Sequence, residues 1–223
     1  MLRPITAWVF LCWLAAAPLA SAENEGSQLY RAITVRAAPG AFAELLDWVA
    51  PRNGRQFYVM RHSQGDQWDL MILLPLETMS LKSPLAEIDR LIAFQEDNFA
   101  YGPPADTVAS QYRRSGLFHV EVFSALAGKK EALLDQRRRE NAYLEATGQQ
   151  TNLIFRSAAG SDIDVFTIGF HRSLKTFAAA SPPSEEAAEE AARAAGFKNR
   201  ADLSFSLRAL ISSHRDTLAT RIQ

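Results

Sequence analysis

The sequence predicts an α+β chain made of two tandem β-α-β-β-α-β units. Three observations carry this. Ser27 to Asp47, SQLYRAITVRAAPGAFAELLD, returns as Ser115 to Asp135, SGLFHVEVFSALAGKKEALLD, without a gap and offset by 88 residues. Arg61…Gly65…Asp69-Leu70 matches Arg156…Gly160…Asp164-Val165, offset by 95. Leu91-Ile92…Asp97…Ala100 matches Leu210-Ile211…Asp216…Ala219, offset by 119. The order is kept and the offsets grow in steps, as insertions in loops would make them. A repeat of this size is a duplicated domain, not a solenoid unit.

The elements of the first unit follow in order. Leu29 to Arg36 alternates and stops at Pro39-Gly40, which is a strand pattern. Ala41 to Ala50 places Phe42, Leu45, Leu46 and Val49 at helical spacing, and Pro51 ends it. Arg55 to His62 and Gln67 to Leu74 are strands around a turn at Gly65. Pro84 suits a helix start, and Leu85, Ile88, Leu91, Ile92 and Phe99 predict a helical stripe. Asp106 to Arg113 reads as a weaker fourth strand. In the second unit Leu117 to Ser124 is a strand and Lys129 to Ala146 a helix. Thr151 to Arg156 and Ile163 to His171 form a hairpin around Gly160. An Ala/Glu insert, Ala178 to Gly196, has a Ser184 cap and a Gly196 stop and is expected on the surface. Asp202 to Ser213 reads as a helix and Thr217 to Ile222 as the last strand. The predicted divisions are residues 1–22 as a signal peptide, 23–113 as the first unit and 114–223 as the second.

The first 22 residues look like a targeting segment. Arg3 supplies the positive end, Ala7 to Leu19 the apolar stretch, and Ala20-Ser21-Ala22 a small-x-small cleavage site. That stretch is short for a membrane span. The only cysteine, Cys12, lies inside it. Cleavage after Ala22 would leave a periplasmic or secreted chain with no disulfide, held by packing alone. A formal charge of -1 gives no electrostatic case for nucleic acid. Arg137-Arg138-Arg139, beside Glu140, reads as a solvated helix face. There is no G-x-S-x-G elbow and no phosphate loop. The chain's four histidines show no H-x-H or H-x-x-x-H spacing, so no metal site is expected.

Two such units in tandem resemble the dimeric α+β barrel superfamily, in which ferredoxin-like units pair their sheets into a barrel. The layout is similar to its NIPSNAP-type and antibiotic-biosynthesis-monooxygenase-type members. The resemblance implies one intramolecular α+β barrel, complete as a monomer and compatible with a homodimer. It also implies a cavity between sheet and helices or between sheets, with ligands ranging from polyketide-like aromatics to haem. No residue motif selects a cofactor.

Strand alternation then locates a candidate site. Phe118, Val120 and Val122 form an apolar face, expected to meet the helices. Leu117, His119, Glu121 and Phe123 are expected to point into a cleft between the sheets. His119 and Glu121, about 7 Å apart along one strand face, suit a general base and its orienting carboxylate. A buried His-Glu pair that only fixes the barrel is the structural alternative. The matching residues of the first unit, Arg31 and Ile33, make this polar pair a property of one half. Tyr58, His62, Trp68, Phe123, Phe155 and His171 are the expected ligand-contacting residues. His62 is expected to oppose Trp68, and Arg61–Asp69 and Arg156–Asp164 to form hairpin salt bridges. His214 reads as a solvated helix end. Three functions follow: an exported protein binding a small apolar or aromatic ligand, a cofactor-independent monooxygenase or isomerase-like enzyme using His119 and Glu121, and a structural protein with a filled core.

Overall fold

The computed structural model describes residues 27–179 and 184–222. The predicted signal peptide and Pro182-Pro183 of the insert lie outside them. Eight strands form a closed barrel in which every neighbour is antiparallel, in the order β1-β3-β2-β8-β5-β7-β6-β4. The strands are β1 (Gln28–Ala37), β2 (Tyr58–Gln64), β3 (Leu70–Leu76), β4 (Ile92–Gly102), β5 (Leu117–Ala125), β6 (Asn152–Gly160), β7 (Val165–His171) and β8 (Ile211–Arg221). The first four make one ferredoxin-like sheet and the last four its repeat. The two sheets join edge to edge, β2 to β8 and β4 to β6. Closure leaves no edge strand among the described residues.

Among the described residues six α-helices accompany the barrel: α1 (Phe42–Val49), α2 (Ala105–Arg114), α3 (Lys130–Ala146), α4 (Leu174–Ala178), α5 (Glu185–Ala194) and α6 (Arg200–Arg208). α1 packs Leu45 and Val49 on the outer face of the first sheet, against Ile33, Val35, Leu70 and Ile72. α3 packs Leu133 and Leu134 on the second, against Phe123 and Val165. The insert helix α5 is capped by Ser184, which accepts the Ala187 N–H at 3.2 Å. It lies on the outside, as expected, but docks Ala191 and Ala192 against Tyr143 and Phe197.

Several sequence expectations are corrected. The stripe from Leu85 to Phe99 is a 3-10 turn, Ala86–Leu91, followed by the eleven-residue strand β4. Leu85, Ile88 and Leu91 dock on the first unit's core, while Phe99 belongs to the strand. The same happens at the repeat, where Leu210 and Ile211 end the helical stretch and open β8. Asp106 to Arg113 is helix α2, not a strand. Its Val108 and Tyr112, one turn apart, plug an end of the barrel, and Tyr112 stacks on Phe118 at 5.2 Å. Tyr112 donates to the Val59 carbonyl at 2.6 Å.

Hairpin registers differ by one residue from expectation. Arg61 lies opposite Leu70, and Arg156 opposite Val165. The expected salt bridges are replaced by backbone capping. Asp69 accepts the Ala37 N–H and Asp164 the Ala125 N–H, both at 2.8 Å. Both amides stand at register shifts that end β1 and β5. Arg61 lies over the Phe42 ring and Arg156 pairs with Glu131. The repeated glycines close the barrel. Gly65 and Gly160 have φ of 119° and 117°. A Cβ at either would sit 2.0 Å from the Asp216 carbonyl or 2.2 Å from that of Asp97. Each hairpin tip therefore lies on the last strand of the other unit.

Candidate functional site

The faces of β5 are the reverse of those expected. Phe118, Val120 and Val122 point into the barrel, with Tyr30, Met71, Phe155 and Phe166 from the other strands. His119, Glu121 and Phe123 point outward, under α3. The reason is closure: both sheets contribute one face to a single aromatic interior, so the cleft expected between sheets is filled. Phe155 stacks on Phe166 at 4.5 Å, and Tyr58 packs against Tyr112 at 5.1 Å. His62 meets Trp68 edge-on at 5.8 Å, although the register places it beside Asp69. Tyr58, His62, Trp68 and Phe155 thus belong to the barrel interior. Phe123 and His171 belong to the outer face with His119 and Glu121.

That outer face forms the floor of a cleft of about 700 Å³. β5, β6 and β7 make the floor, and α3, α4 and the end of α2 make the walls. His119, His171, Asn152, Leu144, Phe170 and Phe177 line it. Gly169, between His119 and Asn152, keeps the floor low. A Cβ there would stand 2.7 Å from Asn152 Oδ1 and 2.9 Å from His171 Nε2. A second cleft of about 320 Å³ opens between α3, α6 and β8, where His214 and Arg137 appear.

Glu121 lies between the two. Its Oε2 accepts from Thr167 Oγ1 at 2.9 Å, and its Oε1 lies 3.4 Å from His214 Nε2 and 3.7 Å from Arg137 Nη1. Arg137 also pairs with Glu140. The carboxylate nearest His119 is Asp216, at 3.4 Å, rather than Glu121. Asp216 Oδ1 is also 3.2 Å from His214 Nε2. His214 is therefore no solvated helix end. It sits on β8, stacked on Phe123 at 4.5 Å. Arg137 is likewise not part of a solvated face, being only 3% exposed.

The charges in this network hold one another. The carboxylates of Asp216 and Glu121 push His214 up to about 9. Burial works against a charged His119, yet Asp216 and Glu121 outweigh it and raise its pKa. His119 and His214 hold Asp216 well below the usual carboxylate range. Burial alone would raise Glu121, but His214 and Arg137 bring it below its ordinary value. His171, by contrast, is lowered by burial and by the charge of His119.

The first unit shows what the second has changed. Ile33 faces Ile72 under Val49, all three buried. At the matching positions Glu121 faces Thr167 under Arg137. Arg31 binds Asp97 at 2.6 Å, where the second unit has His119 and Asp216. Arg31 also donates to the carbonyls of Ser80 and Lys82 at 3.2 and 2.7 Å, which ties the connection between β3 and β4 to this position. Arg137 and the roles of Asp216 and His214 were missed from sequence. The available signal was the paired pattern H-x-E and H-x-D on two strands.

No family model and no curated protein matches the chain. Solved structures do. An anthrone oxidase-like protein matches with a TM-score of 0.56 and 10% identity, over 89% of this chain and 92% of that one. A candidate monooxygenase from Lactobacillus acidophilus NCFM gives 0.52 and 5%, over 87% and 94%. A candidate chlorite dismutase gives 0.50 and 10%, over 88% and 95%. Identities this low speak for fold. The chain has the fold of the dimeric α+β barrel superfamily, with both halves of the barrel in one polypeptide.

Proposed function

We propose that this is an exported protein that binds a small, largely apolar or aromatic molecule in the cleft between the second sheet and α3. The observation that carries the reading is the exchange of Ile33, Ile72 and Val49 for Glu121, Thr167 and Arg137 under an open cleft. Buried polar and charged groups cost folding energy that an apolar trio does not. A duplicated unit that keeps them on one side only has a use for them there. The cleft volume is in the usual range of small-ligand sites. Leu144 and Phe177 offer an apolar strip for such a molecule, in a lining otherwise made of polar groups, among them His119, His171 and Asn152 at the floor. Export rests on the targeting pattern of residues 1–22.

Native mass spectrometry of the exported protein tests the reading. A retained small molecule is expected, and Leu144→Trp should expel it without changing the fold. A wild-type protein that carries nothing from its host and binds no aromatic probe would sink the reading. A second reading, acid–base catalysis at His119, is favoured by Asp216, which can hold the ring. For a monooxygenase or isomerase of that kind, His119→Ala should abolish turnover while the Tm stays within a few degrees. Haem, which the superfamily resemblance raises, also fits the donor chemistry. His171 is an imidazole on the cleft floor whose pKa burial lowers, which favours the neutral ring. It would hold the iron, and the haem would supply redox chemistry. A Soret band on haemin titration, lost in His171→Ala, would support it; a flat titration removes it.

A further inference from the structure

Glu121 and Asp216 are directly opposite each other on the adjacent antiparallel strands β5 and β8. Like charges in that position repel. Each is preceded by a histidine two residues earlier on its own strand, so all four side chains share the outer face. Both histidines turn Nε2 toward one oxygen, Asp216 Oδ1, at 3.4 Å from His119 and 3.2 Å from His214. His214 Nε2 is 3.4 Å from Glu121 Oε1. One ligand atom each from His119, Glu121 and Asp216 falls within 4.8 Å of the others.

These separations are informative. A charge-assisted N–H···O⁻ bond spans about 2.7–2.9 Å. The edge of a coordination polyhedron with bonds of about 2.1 Å spans about 3.0 Å if octahedral and about 3.4 Å if tetrahedral. The three histidine–carboxylate distances lie in the second interval. The first unit is an internal control on the same backbone frame. There Arg31 Nε and Gln95 Nε2, at the positions of His119 and His214, both bond Asp97 directly at 2.6 Å.

We propose that His119, Glu121 and Asp216 form the site of one divalent transition-metal ion at the inner end of the cleft, with His214, which faces both carboxylates, as a further donor. Two carboxylates and a dication sum to zero charge with both imidazoles neutral. Mixed imidazole and carboxylate donors suit zinc and its first-row neighbours. The surroundings orient the donors as second shells do. Thr167 occupies Glu121 Oε2 and leaves Oε1 facing His214, and Phe123 fixes the His214 ring. Arg137 is the group that opposes a cation, and Glu140 shares its charge. Sequence spacing would not announce such a site, because its donors come from two strands far apart in sequence. The inference deepens the cleft reading, since an open metal position would face the bound molecule. With metal bound, His119 is a ligand and not a base.

Cobalt titration of the purified, EDTA-stripped protein tests it. One equivalent of Co²⁺ should produce visible d–d bands that Zn²⁺ displaces, and Zn²⁺ should raise the Tm. The bands should vanish in His119→Ala, His214→Ala and the near-isosteric Asp216→Asn, with folding checked by circular dichroism. Thr167→Val should weaken Co²⁺ binding about tenfold or more, and His62→Gln, in the barrel interior beside Trp68, should leave it unchanged. A folded, stripped wild type without bands overturns the proposal, as do bands that survive in both histidine variants. Native mass spectrometry separates the two readings. A retained molecule in a protein that takes no Co²⁺ sinks only the metal site. One Co²⁺ in a protein that holds no molecule sinks only the cleft reading.

Discussion

Glu121→Ala probes the energetic asymmetry of the two units. Glu121 is 8% exposed and Arg137 3%. Removing the carboxylate leaves a buried guanidinium with Glu140 and the Gln136 side-chain carbonyl as its remaining partners, and leaves the Thr167 hydroxyl without its acceptor. Breaking a buried pair typically costs about 3–5 kcal/mol. Glu140 softens the loss, so about 3 kcal/mol is expected. At about 2–4 °C per kcal/mol for a chain of this size, the Tm should fall by about 6–12 °C. The contrasting variant carries the first unit's residues: Glu121→Ile, Thr167→Ile and Arg137→Val together. Replacing a buried ion pair by packed apolar groups is often neutral or stabilising by about 1–4 kcal/mol. The triple variant also takes Arg137 away from Glu140, so it should lie between Glu121→Ala and wild type or above, although one charge more is removed than in Glu121→Ala. Urea and thermal unfolding at neutral pH, in EDTA, measure both. A single variant within 1 kcal/mol of wild type, or a triple variant less stable than the single, would refute the reasoning.

Three further outcomes follow from the structure. Gly65→Ala places a Cβ 2.0 Å from the Asp216 carbonyl in left-handed backbone, so it should destabilise by more than about 2 kcal/mol; a smaller loss in urea unfolding would mean that β2 and β8 can separate there cheaply. Tyr112→Phe leaves the Val59 carbonyl and Asn53 Oδ1 without the hydroxyl that lies 2.6 and 2.7 Å away, and should cost about 1–3 kcal/mol with the barrel intact by circular dichroism. His171, lowered by burial and by His119, binds its proton more weakly when folded. Its effect on stability is therefore nil above the unfolded value of about 6.5 and becomes a growing loss as pH falls below it toward the lowered pKa. Denaturant midpoints measured across that window should drop more for wild type than for His171→Gln, and parallel curves would exclude His171 as the cause.

Much of the fold was legible because duplication is visible without knowing any contact. The shared Leu133-Leu134 and Leu45-Leu46 face the same layer, and Gly65 and Gly160 occupy the same close approach. Asp69 and Asp164 were recognised as equivalent, but the carboxylate of each is committed to a backbone N–H at a bulge, which no spacing announces. Helical spacing misled at Leu85 to Phe99 and at Leu210, because a single turn that docks apolar residues and a strand that follows it leave one continuous stripe. α2 was missed because its Val108 and Tyr112 serve as a plug for an end of the barrel rather than as one face of a sheet-packed helix.

For the candidate site, the local sequence was sufficient to put His119 and Glu121 on one strand face and to show that only one unit carries them. Which way that face points was decided by closure. The strand pairings β2–β8 and β4–β6 turn two apolar faces toward each other and force the polar pair outward under α3. Only those pairings bring His214 and Asp216 beside His119 and Glu121, since side chains far apart in the chain meet when their strands share a register. Alternation along a strand is a property of the backbone and can be read from one segment; the identity of a neighbour across the ladder belongs to the assembled barrel.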